Sequence, residues 1–260
     1  MQADGRNLFS AFLGGVVFNA SNILLAAAVA LCGMSVAFPV GVGLALVLGV
    51  LINYFGAAKG DPLFIFLGVA LIAAAIVMNG LAYRMARTGK RKLTAKGLLI
   101  SVAAGTIMAF FYRFVASSMD LDSFTAPAAG KMTPYTAVVV FATGVFVSNF
   151  LFNTIAMKCP VEGTPVRPSE YFGGTFRTHL VGMLGGAIWC LGESFSMIAS
   201  GKAGAAISYG LGQGATLVSA LWGILIWKEF RGAPGASVLC NAGMFVLFLA
   251  GLGLLIYAGA

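Results

Sequence analysis

Eight apolar runs, each long enough to cross a bilayer, dominate the sequence and leave little freedom for any other architecture. A crossing needs about 20 residues. The runs cover Leu8–Cys32, Ser35–Gly56, Pro62–Tyr83, Gly97–Met119, Pro134–Met157, Gly174–Ser200, Ala203–Trp227 and Gly235–Ala258, called A to H in that order. Between them lie Gly33, Lys59-Gly60-Asp61-Pro62, a basic stretch, Asp120 to Lys131, Lys158 to Pro168, Gly201-Lys202, and Lys228 to Pro234. Only 9% of the residues are charged, against about 25% in a soluble domain, so lipid must solvate most of the surface. In lipid each span satisfies its own backbone hydrogen bonds, as a helix does. A barrel would show short alternating segments, and these runs are continuous. The expected fold class is all-α, a polytopic transmembrane helix bundle.

The net charge of +8 is not a nucleic-acid signal, because six of the sixteen basic residues crowd into Arg84 to Lys96. Such a cluster marks the cytoplasmic side. With that loop inside, eleven basic residues face inward and four outward, and both termini are expected outside. Cys32, Cys159, Cys190 and Cys240 are scattered without metal-ligand spacing, so no disulfide framework, metal or cofactor is expected. Run A lacks a basic n-region and is too long for an h-region, so no cleavable signal peptide is expected.

The chain repeats itself. Aligning each position with the one 171 further on pairs Leu13-Gly14-Gly15 with Leu184-Gly185-Gly186, Gly33 with Gly204, Gly41 with Gly212, Gly43 with Gly214, and Leu46-Val47 with Leu217-Val218. The register holds without a gap from Phe12 to Gly56 and maps A, B and C onto F, G and H. A runs inward and F outward, so the repeat is inverted, a device of transporters whose substrate site lies near the midplane between the halves. D and E precede F, whereas only seven residues precede A. The expected organisation is 1–83, an incomplete first repeat of three helices; 84–96, a basic cytoplasmic loop; and 97–260, a second repeat of five helices.

The segment Ser208-Tyr209-Gly210-Leu211-Gly212-Gln213-Gly214, with Leu221-Trp222-Gly223 and Trp227-Lys228-Glu229-Phe230, resembles the ninth helix of the drug/metabolite transporter superfamily, and more narrowly its glucose/ribose uptake and ureide permease branch. Phe38-Pro39-Val40-Gly41-Val42-Gly43 and Phe110-Phe111-Tyr112-Arg113-Phe114 fit the same branch. The resemblance implies ten helices in two inverted halves of five, and a multi-pass protein of a bacterial inner (plasma) membrane. It implies uptake of a small polar solute by alternating access, driven by a proton or sodium gradient. This chain departs from the pattern by lacking the first two helices. The branch spans sugars, ureides and nucleobases; a sugar is the leading expectation, with a ureide or nucleobase close behind. Membrane lipid is the expected surroundings, a homodimer is compatible with the reading, and no nucleic-acid partner is expected.

Ionisable groups inside spans are costly and usually functional. Arg113 in D and Glu193 in F lie at similar depth, which allows them to pair; the pair is expected either to hold the helices together or to serve substrate or ion coupling, and the alternative is that Arg113 snorkels to the outer interface. Glu193 is the better proton candidate, since a guanidinium stays charged. Asn22 falls opposite Glu193 in the repeat, and Asn19 is three residues earlier on the same face. Asn149 and Asn153 share a face of E, and Gln213 lies near the midplane of G. Amides of this kind bind a polar solute or act as interhelical glue. Tyr209 and Trp222 are candidates for stacking on a solute. Pro39, Gly41 and Gly43, and in the second repeat Gly210, Gly212 and Gly214, are expected to unwind their helices or to allow close packing. Asn53, Asn79 and Trp227 are expected at the membrane interface, and His179, the only histidine, in a structural role.

Other functions lack their residues. There is no GxSxG, no HExxH and no pair of aspartates within the spans, so no enzyme machinery is expected. Ala129-Gly130-Lys131-Met132-Thr133 lacks the first glycine and the hydroxyl residue of a P-loop. A channel or a non-transporting partner subunit is the remaining alternative.

Overall fold

The computed structural model describes residues 3–86 and 94–259. Arg87, Lys90, Arg91 and Lys92 of the basic loop lie outside the described residues. The helices are α1 (Gly5–Cys32), α2 (Met34–Ala37), α3 (Gly43–Gly56), α4 (Pro62–Met85), α5 (Ala95–Ser118), α6 (Pro134–Lys158), α7 (Pro168–Phe172), α8 (Phe176–Ala203), α9 (Ala205–Gly212), α10 (Ala215–Leu225) and α11 (Gly235–Ala258). The fold is an all-α transmembrane bundle. "Inner" below names the end that carries the α4–α5 connection.

Local chemistry explains where the long helices begin. Asp4, Asp61, Thr94, Thr133 and Thr175 each accept a hydrogen bond from a backbone N–H in the first turn of the helix that follows, which satisfies donors that lipid cannot. Pro62 and Pro134 occupy first-turn positions, where the missing N–H costs nothing.

Seven of the eight runs form continuous spans, counting Met34–Gly56 as one. That span winds through a π-helical turn over Phe38–Val42. Pro39 lacks the N–H that an α-helix needs, and a wider turn accommodates its ring. Run G departs from continuity: it is split into α9 and α10, which meet at Gln213 and Gly214. Gly33 and Gly204, equivalent in the repeat, separate α1 from α2 and α8 from α9. Their backbones match, with φ 85 and ψ 165 at Gly33 and φ 83 and ψ 158 at Gly204. An L side chain would be strained at both.

Phe18 and Trp189, 171 positions apart, stack on each other with ring centroids 4.4 Å apart and planes at 21°. α4 packs antiparallel on α11, the last helix of the other half; Asp61 N–H donates to the Ala258 carbonyl at one end, and Ser237 Oγ to the Ala82 carbonyl at the other. α5 lies along α1 and α3, and α6 lies along α1. Small residues allow these approaches. A Cβ on Gly14 would meet Val115 Cγ2 at 2.7 Å, one on Gly15 would run into the Phe141 carbonyl, and one on Gly105 into the Gly41 carbonyl. Such packing replaces the hydrophobic effect, which lipid removes.

Asn53 and Asn79 are not interfacial. Both are fully buried, because they lie on the faces of α3 and α4 that turn toward the bundle. Asn53 Nδ2 donates to the Gly49 carbonyl at 2.8 Å, while its Oδ1 and both polar atoms of Asn79 have no hydrogen-bond partner.

Candidate functional site

The polar centre of the bundle forms where α8 crosses α1, α5 and α9. Phe18 from α1 stacks on Trp189 from α8, and Phe111 and Phe141 close around Phe18 at centroid distances of 5.1 and 5.7 Å. Tyr209 of α9 continues this wall, 5.8 Å from Phe111 and 5.4 Å from Tyr112. Glu193 lies one turn beyond Trp189 on the same face of α8. Its carboxylate is within electrostatic range of Tyr112 and Tyr209. Oxygen Oε1 is buried without a hydrogen-bond partner. A buried acceptor left open in this way calls for a donor.

The surrounding polar atoms are mostly committed. Tyr112 donates to the Ser196 carbonyl at 3.0 Å, Ser196 Oγ to the Ser208 carbonyl at 3.1 Å, and Tyr209 to the Ala45 carbonyl at 3.0 Å. The Tyr209 ring also lies against Gly49, where a Cβ would collide with it. The tyrosines are therefore held as walls. Ser208 Oγ is a second buried group without a partner.

Arg113 does not join this centre, and the expected Arg113–Glu193 pair does not form. Depth alone suggested it, but adjacent residues point about 100° apart around a helix. Tyr112 takes the direction toward α8, so Arg113 turns toward the end of α3, where its guanidinium covers Gly56. The other candidates are dispersed. Asn19 is buried and donates to Val145 O, Ser148 Oγ and Asn149 Oδ1, which in turn accepts from Asn153; this is a seam between α1 and α6. Asn22 is exposed, one face away from the seam. Gln213 stands in the break between α9 and α10. Trp222 is half exposed on α10 and Trp227 half exposed just beyond it. His179 packs on the ring of Tyr171. Pro39, Gly41 and Gly43 are buried around the π-helical turn; among their counterparts Gly210 is buried and packs on Leu255 and Val50, whereas Gly212 is exposed and Gly214 half-buried beside the break.

Sequence reasoning missed Phe18, Trp189 and Ser196, and quoted Tyr112 and Ser208 only within motifs, without a role. The signal for the first two was available: the same 171-residue offset aligns Phe18 with Trp189, an aromatic match that an identity count discards. It also gave no role to two charged residues at the breaks. The Glu229 carboxylate accepts from Met34 N at 3.1 Å, Ser35 N at 3.0 Å and Ser35 Oγ, covering Gly33. Lys59 lies over Gly204 and donates to the Gly201 carbonyl at 2.7 Å. An anion thus caps the start of α2 and a cation the end of α8, each matching the helix dipole. Each comes from the opposite repeat.

The profile of the ureide permease family matches residues 81–258. Ureide permease 2 of Arabidopsis thaliana is 24% identical over 168 residues, 64% of this chain and 42% of that protein. Ureide permease 1 of the same plant is 21% identical over 308 residues, 98% of this chain and 79% of that protein. The chain therefore spans less than half of the first relative in that alignment. No solved structure matches. With a profile that covers residues 81–258, more than half of its length, the chain belongs to the ureide permease family.

Proposed function

We propose that the chain is a permease for a small ureide-type solute, with Glu193 as its recognition group. The observation that carries this is the open Oε1 of Glu193 beside the Phe18–Trp189 stack. A ureido group is planar and presents parallel N–H donors. A carboxylate takes two such donors with good geometry, and the aromatic faces cover the plane. The names of the two relatives point the same way. A sugar fits less well, because the Asn19–Asn149–Asn153 amides bond to one another and to α6 rather than to a cavity. A nucleobase remains the second reading, since its edge and plane offer the same features.

The two capped breaks suit alternating access. Glu229 holds the inner break and Lys59 the outer one, so each repeat latches the other's hinge. Glu193 is also the group in the centre able to exchange a proton, which makes proton coupling the favoured drive over sodium.

Uptake into proteoliposomes tests the reading, with labelled allantoin, uracil and glucose, with and without an inward proton or sodium gradient. Saturable, proton-dependent allantoin uptake is expected, reduced by about tenfold or more in Glu193→Gln through loss of the charge-assisted hydrogen bonds. Glucose uptake in preference to allantoin would return the sugar reading. Allantoin uptake untouched by Glu193→Gln would remove Glu193 from the site.

A further inference from the structure

A cavity of about 580 Å³ opens at the outer end of the bundle and shares no residue with the Glu193 centre. Its walls come from the start of α1, the end of α5 and the loop that joins α5 to α6, and they include Asp4, Arg6, Ser10, Arg113, Ser117 and Lys131. Three cations and one carboxylate leave it net positive by two (3 − 1). The carboxylate is occupied, because Asp4 Oδ1 accepts from Asn7 N at 2.8 Å as the cap of α1.

The frame is built and self-satisfied. Ser10 Oγ donates to the Phe114 carbonyl at 2.7 Å, Lys131 Nζ to the Ser117 carbonyl at 2.5 Å, and Asn7 Nδ2 to the Gly130 carbonyl at 2.8 Å. Arg113 is the exception. It is half-buried within the span of α5, and among the described residues its guanidinium makes no hydrogen bond and no ion pair. Room has been made for it: a Cβ on Gly56 would collide with the guanidinium. A guanidinium has five N–H donors in a fixed fork, and a charge within a span needs a partner. A planar or tetrahedral oxyanion complements such a fork.

We propose that this cavity binds an oxyanion group, a carboxylate or a phosphate, gripped by Arg113 with Lys131 and Arg6 supplying the positive field. The volume suits a small molecule or a headgroup. Two sources share this chemistry: a soluble anionic small molecule, and the phosphate of a lipid.

Binding is measurable on the purified chain in neutral detergent, independently of transport. The probes are acetate and inorganic phosphate against chloride at equal ionic strength, and vesicles of phosphatidylglycerol against phosphatidylcholine after reconstitution. The readouts are calorimetric titration and the unfolding midpoint, which a ligand raises in proportion to its occupancy. Saturable acetate or phosphate binding, weakened about tenfold in Arg113→Gln and less in Lys131→Gln, supports a soluble ligand. Stabilisation by phosphatidylglycerol alone, with the same order of loss, supports the lipid phosphate. No response to any probe, or a response equal in the native chain, Arg113→Gln and Lys131→Gln, overturns the proposal. If Arg113→Gln does not fold, loss in Lys131→Gln decides, since that side chain lies in the outer loop. Because the Glu193→Gln protein keeps this cavity intact, it should bind as the native chain does, which separates failure here from failure of the transport reading.

Discussion

α1 and α8, which the 171-residue offset aligns in sequence, live in opposite surroundings. Along its most apolar stretch α1 is 39% buried and α8 only 6%. The glycine pairs make the contrast local. Gly14 faces Val115 of α5 and Gly15 faces Phe141 and Val145 of α6, whereas Gly185 and Gly186 have nothing within 4 Å of where a Cβ would stand. Further along, Gly41 lies against the Ser101 carbonyl of α5, while its counterpart Gly212 meets only the Ser196 side chain. The same motif is thus packed twice over in one half and bare in the other. The difference teaches that one small-residue motif serves close helix packing in one half of the chain and leaves an open face in the other.

The sharpest break in that comparison is one substitution made at both sites. Gly15→Leu drives a side chain into the backbone of α6 and is expected to destabilise by about 3 kcal/mol or more. Gly186→Leu is expected to change stability by less than about 0.5 kcal/mol, as an open surface position does. Thermal unfolding in detergent reads both. A large cost at Gly186 in the isolated chain would mean that something, such as a second copy, already covers α8.

The stacked pair gives the next effect. Phe18 is 7% exposed and Trp189 39% exposed, so the two stacked rings are unequally enclosed. Phe18→Ala is expected to cost about 3 kcal/mol, the low end for a buried aromatic, and Trp189→Ala about half of that. A double-mutant cycle should return a coupling near 1 kcal/mol. Zero coupling would show that the two rings do not support each other.

The two latches differ less. Glu229 is half-buried and makes several bonds to the start of α2, whereas Lys59 is exposed and makes one. Glu229→Gln is expected to cost about 1 kcal/mol, the usual value of a lost helix cap, and Lys59→Met a few tenths, the scale of a single exposed charge. Hydrogen exchange at Ser35, bonded to Glu229, and at Gly204, bonded to Ser200 in the turn that Lys59 caps, locates each loss. Equal acceleration at both amides would mean that the hinges are held by packing alone.

Much of this was legible beforehand, for definable reasons. Run ends follow from glycine, proline and capping residues, so Gly33 and the start at Pro134 could be placed from local chemistry. Depth along a helix is also arithmetic, which is why Arg113 and Glu193 were singled out. Direction around the helix is not, since it depends on which neighbour claims each face; Tyr112 took the face that Arg113 was assigned. Asn79 was misjudged for a related reason: it stands only a few residues from the end of its apolar run, yet α4 continues to Met85 and buries it against the bundle. Phe18 and Trp189 were hidden because their equivalence is of shape, not identity.

The smallest effect concerns the clamp on the helix pair that covers α1. The loop from α5 to α6 is tied by Asp120, whose Oδ1 accepts from Asp122 N at 2.9 Å and Ser123 N at 3.2 Å, and whose Oδ2 accepts from Ala128 N at 2.7 Å. Those bonds, Ala128 first, hold its carboxyl below the usual aspartate range. A pKa depressed in the folded state gives a contribution that is complete above the unfolded value, near 3.9, and is lost as the pH falls through the folded value. Exchange at the Ala128 amide, corrected for its intrinsic rate, should therefore show constant protection from neutral pH down to about 4 and falling protection below it. Asp120→Asn removes one strong acceptor and should leave protection low and flat across that range. Because the loop is exposed, α1 should keep its burial in the variant, and Gly15→Leu should cost as much there as in the native chain. If the cost falls instead, the pair α5–α6 depends on its loop, and the covered half of the molecule is less fixed than its packing implies.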